Sequence, residues 1–171
     1  VSHYVRPDSA LDQEARKRGN SVYLPERVVP MLPEAISNDL CSLRPHEDRA
    51  VMVAEIQIDK NGKRLSHQIE RALIRSHARL TYDQVQAVFD GVMDEADCDV
   101  PHGCLHALFG AWRALDQDRQ DREPLALNLK ERRVVMDETG KAIAISQRSQ
   151  TESQRLIEDF MIAANIAAAD S

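Results

Sequence analysis

Pro25, Pro30 and Pro33 interrupt residues 22–43, VYLPERVVPMLPEAISNDLCSL, so neither a helical nor a strand period can run through them. Each proline removes a backbone donor and fixes its own φ, and each biases the preceding residue towards extended backbone. Yet Val28, Val29, Met31, Leu32, Ile36, Leu40 and Leu43 make the segment too apolar for a solvated linker. Long irregular backbone of this kind is kept either as a packed strap or because it shapes a surface. On residue types alone, the strap is the stronger reading.

Regular elements flank this segment. Residues 9–19 read as a short helix, capped by Asp8 or Ser9, with acids early, bases late and Gly19 at its end. Arg49 to Ile58 alternates as a strand, placing Met52, Ala54, Ile56 and Ile58 on one face and Glu55 and Gln57 on the other. Asp59-Lys60-Asn61-Gly62-Lys63 predicts a hairpin turn with positive φ at Asn-Gly, and the return strand runs through Leu65, Ile69 and Leu73. Thr81 caps a helix through Val85 and Val88 to Gly91. An acidic loop, Asp94 to Asp99, leads into a longer helix from near Pro101 to about Arg122. A second hairpin joins Arg132–Met136 to Ala142–Ile145, and a closing helix runs from about Thr151 to Ala169. Hairpins with interspersed helices imply an α+β fold with a mixed or antiparallel sheet.

At 171 residues the chain makes one domain or a large piece of one, able to bury roughly two thirds of its unfolded surface. Val1 is no initiator methionine, VSHYV reads as the middle of a strand, and the closing helix stops without a cap. The chain therefore reads as an internal piece of a longer polypeptide. No run approaches the roughly 18 apolar residues of a membrane helix. Three cysteines, at 41, 98 and 104, point to reduced thiols and a cytoplasmic protein without disulfides. The net charge of −6 argues against wholesale nucleic-acid binding. It is uneven, however: residues 1–80 hold 13 Lys/Arg against 11 Asp/Glu, residues 81–171 hold 9 against 17. A phosphate-tracking surface belongs mainly in the first half.

Candidate chemistry is sparse. In the closing helix Leu156, Phe160, Ala163, Ala164 and Ala167 form a packing stripe, and Arg155, Glu158, Ile162 and Asn165 form a second. Its alanine content predicts burial on several sides. Glu158 then either forms an internal salt bridge with Arg155, the commoner outcome at this spacing, or meets a ligand. Cys98, His102, Cys104 and His106 do not have a common zinc spacing. Nucleophile-elbow, Walker-type and dinucleotide motifs are absent. Tyr4, Tyr23 and Tyr82 flank loop-like breaks and are candidates for base stacking, although isolated tyrosines more often pack at a rim.

Three stretches change the balance. VSHYVRPDSALDQEARKRGNSVYLPERVVPMLPEAISNDLCSL, RSHARLTYDQV and RLIEDFMIAANIAAA together resemble the catalytic RNB domain of the ribonuclease R / ribonuclease II family. These are processive 3′→5′ exoribonucleases that release nucleoside 5′-monophosphates. The resemblance spans residues 1–169, and the RLIEDFMIAAN form is most similar to bacterial ribonuclease R. It implies that the proline-broken segment helps wall a channel for single-stranded RNA. It further implies that Tyr23 stacks on terminal bases, and that Tyr82 and Glu158 approach the ribose and discriminate RNA from DNA. A 2′-hydroxyl both donates and accepts, which a phenol and a carboxylate can answer together. Leu127 falls where some members carry a second clamping aromatic, so it is a further substrate-binding candidate and a two-sided aromatic clamp is not implied. Asn165 is assigned to structure. Ser153 departs from the alanine common in ribonuclease R relatives, with no catalytic consequence in that reading.

The resemblance also implies what lies elsewhere. The family's Mg²⁺ is held by clustered aspartates, expected upstream of Val1, and Asp94, Asp97 and Asp99 lie too far along the chain to replace them. No catalytic or metal-binding residue is therefore assigned within residues 1–171, and flanking OB-type RNA-binding domains would also lie outside. The expectation is a chain without nuclease activity of its own, from an exoribonuclease that needs no oligomer. The rival expectation is a degenerate RNA-binding relative that has lost the metal site.

Overall fold

The computed structural model describes residues 1–24, 27–121, 131–136, 142–148 and 150–171. They belong to two units, Val1–Arg44 with Glu131–Arg148, and Pro45–Lys130 with Ser149–Ser171. The fold is α+β, and every described sheet is a two-stranded antiparallel pair.

In the first unit, helix α1 (Ala10–Arg18) begins where the Ser9 hydroxyl accepts from the Asp12 N–H at 3.3 Å. It ends at Gly19, whose φ of 74° is in the left-handed region that favours glycine. Val1–Val5 is not a strand: Tyr4 and Val5 N–H both donate back to the Val1 carbonyl, closing turns. The proline-broken segment contains the short pair β1 (Val22–Tyr23) and β2 (Val28–Val29), then a π-helical turn over Ala35–Leu40. Arg18 donates to the Pro30 carbonyl at 2.8 Å, and Met31 N–H donates to the Ser21 hydroxyl at 2.9 Å. Among its described apolar residues only Leu32 and Ile36 are buried, whereas Val22, Leu24, Val28, Val29, Leu40 and Leu43 are exposed. The segment is anchored at a few points and presents apolar side chains outwards, which fits a surface-shaping role better than a strap. The same unit holds strands β5 (Glu131–Met136) and β6 (Ala142–Arg148). Their predicted turn at 137–140 lies outside the described residues.

In the second unit, β3 (Asp48–Ile58) and β4 (Arg64–Arg75) form the long hairpin. Asp59 organises its turn, the carboxylate accepting from the Asn61 and Lys63 N–H groups at 2.9 Å each. Only Gly62 of the Asn-Gly pair takes positive φ, at 81°. The register slips between Gln57 and Ile58 and leaves Leu65 unpaired and exposed. The predicted inner face holds for Ala54, Ile56 and Ile58 but fails at Met52, which is 63% exposed. Val51 and Val53 are the more covered residues there, opposite Ala72 and Glu70. A two-stranded ribbon twists strongly, so different faces can meet the core at its two ends.

Helices α2 (Tyr82–Phe89), α3 (Cys104–Asp121) and α4 (Glu152–Ala169) pack on one another, and α4 also contacts β3 and β4. Val88, Cys98 and Leu105 form one core cluster, and Phe109, Trp112 and Leu156 a second. Phe89 stacks on Phe109 with ring centroids 3.8 Å apart. Helix α4 is not buried on several sides. Leu156 and Ala167 are buried, but Ile157, Met161, Ile162 and Ile166 are exposed, although the helix meets α2, α3, β3 and β4.

Candidate nucleic-acid interface

Tyr82 opens α2, and local chemistry fixes that start. The Thr81 hydroxyl accepts from Gln84 N–H at 3.2 Å, while the Gln84 side chain accepts from Thr81 N–H at 2.8 Å. The tyrosine side chain remains accessible, with the residue 44% exposed. Glu158 lies on α4, which begins with the reciprocal bond from Thr151 N–H to the Gln154 side chain at 3.0 Å. The Glu158 carboxylate faces solvent and accepts from the Gln150 amide at 2.7 Å. Arg155 does not neutralise it. Its guanidinium approaches Glu152 at 3.9 Å and lies over the Trp112 ring, 5.6 Å from the centroid. Glu158 therefore keeps acceptor capacity, and it shares one unit with Tyr82 on a packed helix pair.

Beneath Glu158, the neighbouring Asp159 turns into the core. It accepts from the Trp112 indole at 2.9 Å and from Arg119 at 2.6 Å. This arrangement satisfies a buried carboxylate and anchors α4 to α3, so adjacent acids on α4 have opposite tasks. Ser153 joins α4 to α2: its hydroxyl donates to the Tyr82 carbonyl, and its N–H donates to the Gln86 side chain, both at 3.0 Å.

The acidic loop has a structural task. Glu95 is buried and accepts from Gly103 N–H at 2.7 Å and from Leu105 N–H, at the start of α3, with His106 Nδ1 at 3.4 Å. Burial alone would raise the Glu95 carboxyl, but the Leu105 and Gly103 N–H groups and then His106 outweigh it and hold it below its ordinary value. Cys98 is buried in its apolar cluster and Cys104 is exposed. Among the described residues, no group of three or more His, Cys, Asp or Glu side chains could hold a metal ion. These residues do not by themselves fit a magnesium site.

Tyr23 lies in the other unit, on β1, and is 78% exposed. It pairs through its backbone with Val28, and Leu24 N–H closes the loop on the Arg27 carbonyl at 2.9 Å. Leu127 lies outside the described residues. Sequence reasoning missed Gln150, Gln86 and the contact that Ser153 makes with α2. The only available signal was Gln150 just ahead of the α4 cap, because the Ser153 bonds span 67 and 71 positions.

The RNB domain family model matches residues 1–171. The chain is 42% identical to ribonuclease R of Vibrio parahaemolyticus and 40% identical to that of Escherichia coli, in each case over 99% of its length. It covers 20% and 21% of those proteins, about a fifth of the relatives it matches. Its fold aligns with Mycoplasma genitalium RNase R solved in complex with ribose-methylated single-stranded RNA, at a TM-score of 0.90 and 37% identity. That alignment covers 96% of this chain and 26% of the other. The fold is thus that of an RNB domain. The chain belongs to the RNB family, with ribonuclease R among its relatives.

Proposed function

We propose that this chain is the substrate-channel part of a processive 3′→5′ exoribonuclease that converts single-stranded RNA to nucleoside 5′-monophosphates. The observation that carries the reading is the exposed Tyr82 at the start of α2, packed on the helix that presents an exposed Glu158 not paired with Arg155, within a chain matched to the RNB domain throughout. A phenol and a carboxylate together can accept from and donate to a ribose 2′-hydroxyl, which DNA lacks. The ribose-methylated RNA held by the Mycoplasma genitalium relative is a ligand altered at the sugar, in keeping with a site that reads the ribose.

Tyr23 supplies a stacking face for terminal bases, which lets grip be independent of sequence. The surrounding exposed apolar segment makes the channel wall. Mg²⁺ held by residues outside this chain would supply the hydrolytic chemistry, and the 171 residues alone would then be inactive. The parent protein acts in the cytoplasm and needs no oligomer.

The test uses the full-length protein, with matched oligonucleotides that are ribose throughout or 2′-deoxy near the 3′ end. Tyr82→Phe and Glu158→Gln should each lower the preference for the ribose substrate by about tenfold, the order of one lost hydrogen bond to a charged or positioned group. An unchanged preference in both variants would sink the sugar reading. RNA binding without cleavage by the wild-type full-length protein would establish the degenerate relative instead.

A further inference from the structure

Ser153 is a polar residue with only 2% of its surface exposed, at a packed helix–helix contact. A hydroxyl buried to this degree needs partners, and its partners connect two elements. The Ser153 hydroxyl lies 3.0 Å from the Tyr82 carbonyl, to which it donates, and 2.9 Å from the Thr151 hydroxyl. Its N–H, among the donors that a helix start leaves without an intrahelical acceptor, donates to the Gln86 side-chain oxygen at 3.0 Å. The amide nitrogen of Gln86 donates to Asp90 at 2.9 Å, which orients that oxygen towards α4.

Both bonds are donated by Ser153, in the first turn of α4, one to Tyr82 at the start of α2 and the other to Gln86 one turn further along it. One such bond would leave the helices free to pivot, whereas two fix both spacing and rotation. The hydroxyl bond holds the Tyr82 carbonyl, the N–H bond holds the Gln86 side chain, and the next turns of α4 carry Glu158. We infer that Ser153, clasped to the Tyr82 carbonyl and to Gln86, is a positioning residue for ribose recognition: it sets where the Tyr82 phenol stands relative to the Glu158 carboxylate. This inference rests on the sugar reading of that pair. Ser153 touches no substrate and acts only through Tyr82.

Ser153→Ala removes the donor while nearly preserving volume, and the Tyr82 carbonyl keeps its place as an i→i+4 acceptor within α2. Gln86→Met removes the other half of the clasp, and serves if the serine variant does not fold. The measurement is kcat/KM of the full-length protein on the ribose and 2′-deoxy oligonucleotides, for Ser153→Ala, Tyr82→Phe and the double variant. Ser153→Ala should lower the ribose preference about three- to tenfold and add nothing further in the Tyr82→Phe background. That non-additivity marks action through Tyr82, which a general packing role would not produce. The inference is overturned if Tyr82→Phe lowers the preference while Ser153→Ala leaves it unchanged, or if the two effects add in full. If Tyr82→Phe itself leaves the preference unchanged, the underlying sugar reading fails and the positioning role falls with it.

Discussion

Gly62 is where the long hairpin touches α3, and replacing it with alanine separates two physical costs. A Cβ at this position would lie 2.0 Å from the Ala114 carbonyl oxygen, 2.5 Å from its carbon and 2.9 Å from the Leu115 nitrogen. All three are backbone atoms, so no side-chain rotation can relieve the overlap. The hairpin turn would have to retreat from α3 by more than an ångström. A gap of that size forfeits about a quarter to a half of each affected dispersion contact, and forced overpacking typically costs about 1–3 kcal/mol. The φ of 81° adds about 1–2 kcal/mol for any residue with a Cβ. Against this, the alanine restricts the unfolded chain and returns about 0.4–1 kcal/mol. The net expectation is a loss of about 2–4 kcal/mol. Gly91 is the control, because its φ of 71° is similar but a Cβ there meets nothing within 4 Å. Gly91→Ala should cost about 0–1.6 kcal/mol by the same two backbone contributions. Hydrogen exchange of the β3 and β4 amides in the intact protein reads the local stability directly. Equal protection in the two variants would refute the steric argument.

Trp112→Phe keeps an aromatic ring in the core but withdraws the indole donor from buried Asp159. It should destabilise by about 1–3 kcal/mol in a denaturant titration, more than Trp112→Phe does in an Asp159→Leu background. The Glu95 carboxyl is held below its ordinary value in the fold, so its contribution is complete above about pH 4.5 and is lost as pH falls through the lower folded value. Amides at the start of α3 should lose exchange protection over that acid range in the wild type, and Glu95→Gln should remove this pH dependence. Tyr23→Ala in the full-length protein should change the length of the final RNA product, read on a sequencing gel, with little effect on thermal stability because Tyr23 is largely exposed; an unchanged product length would remove its stacking role.

What was legible in the residues was local. The Thr81 cap, the Asp59–Lys63 turn and the amphipathic period of α4 each depend on groups within a few positions of one another. Those elements form where their residues direct. The Met52 assignment failed because alternation identifies two faces of a strand but not which face the core will meet along a twisted ribbon. The expected burial of α4 failed for a related reason: alanine permits close packing on any side, and only its neighbours determine which sides are used.

Motif resemblance and short-range periodicity were enough for the family, the α+β class, the order of the four α-helices and the longer strands, and the candidates Tyr23, Tyr82 and Glu158. Tertiary structure alone decided that Arg155 leaves Glu158 unneutralised, that Asp159 is an anchor, that Glu95 caps a helix eight to ten positions away, and that Ser153 clasps the backbone of Tyr82. Each of these outcomes depends on which polar groups are buried together. Burial brings together groups far apart in the chain, and a buried donor or acceptor must find its partner among them.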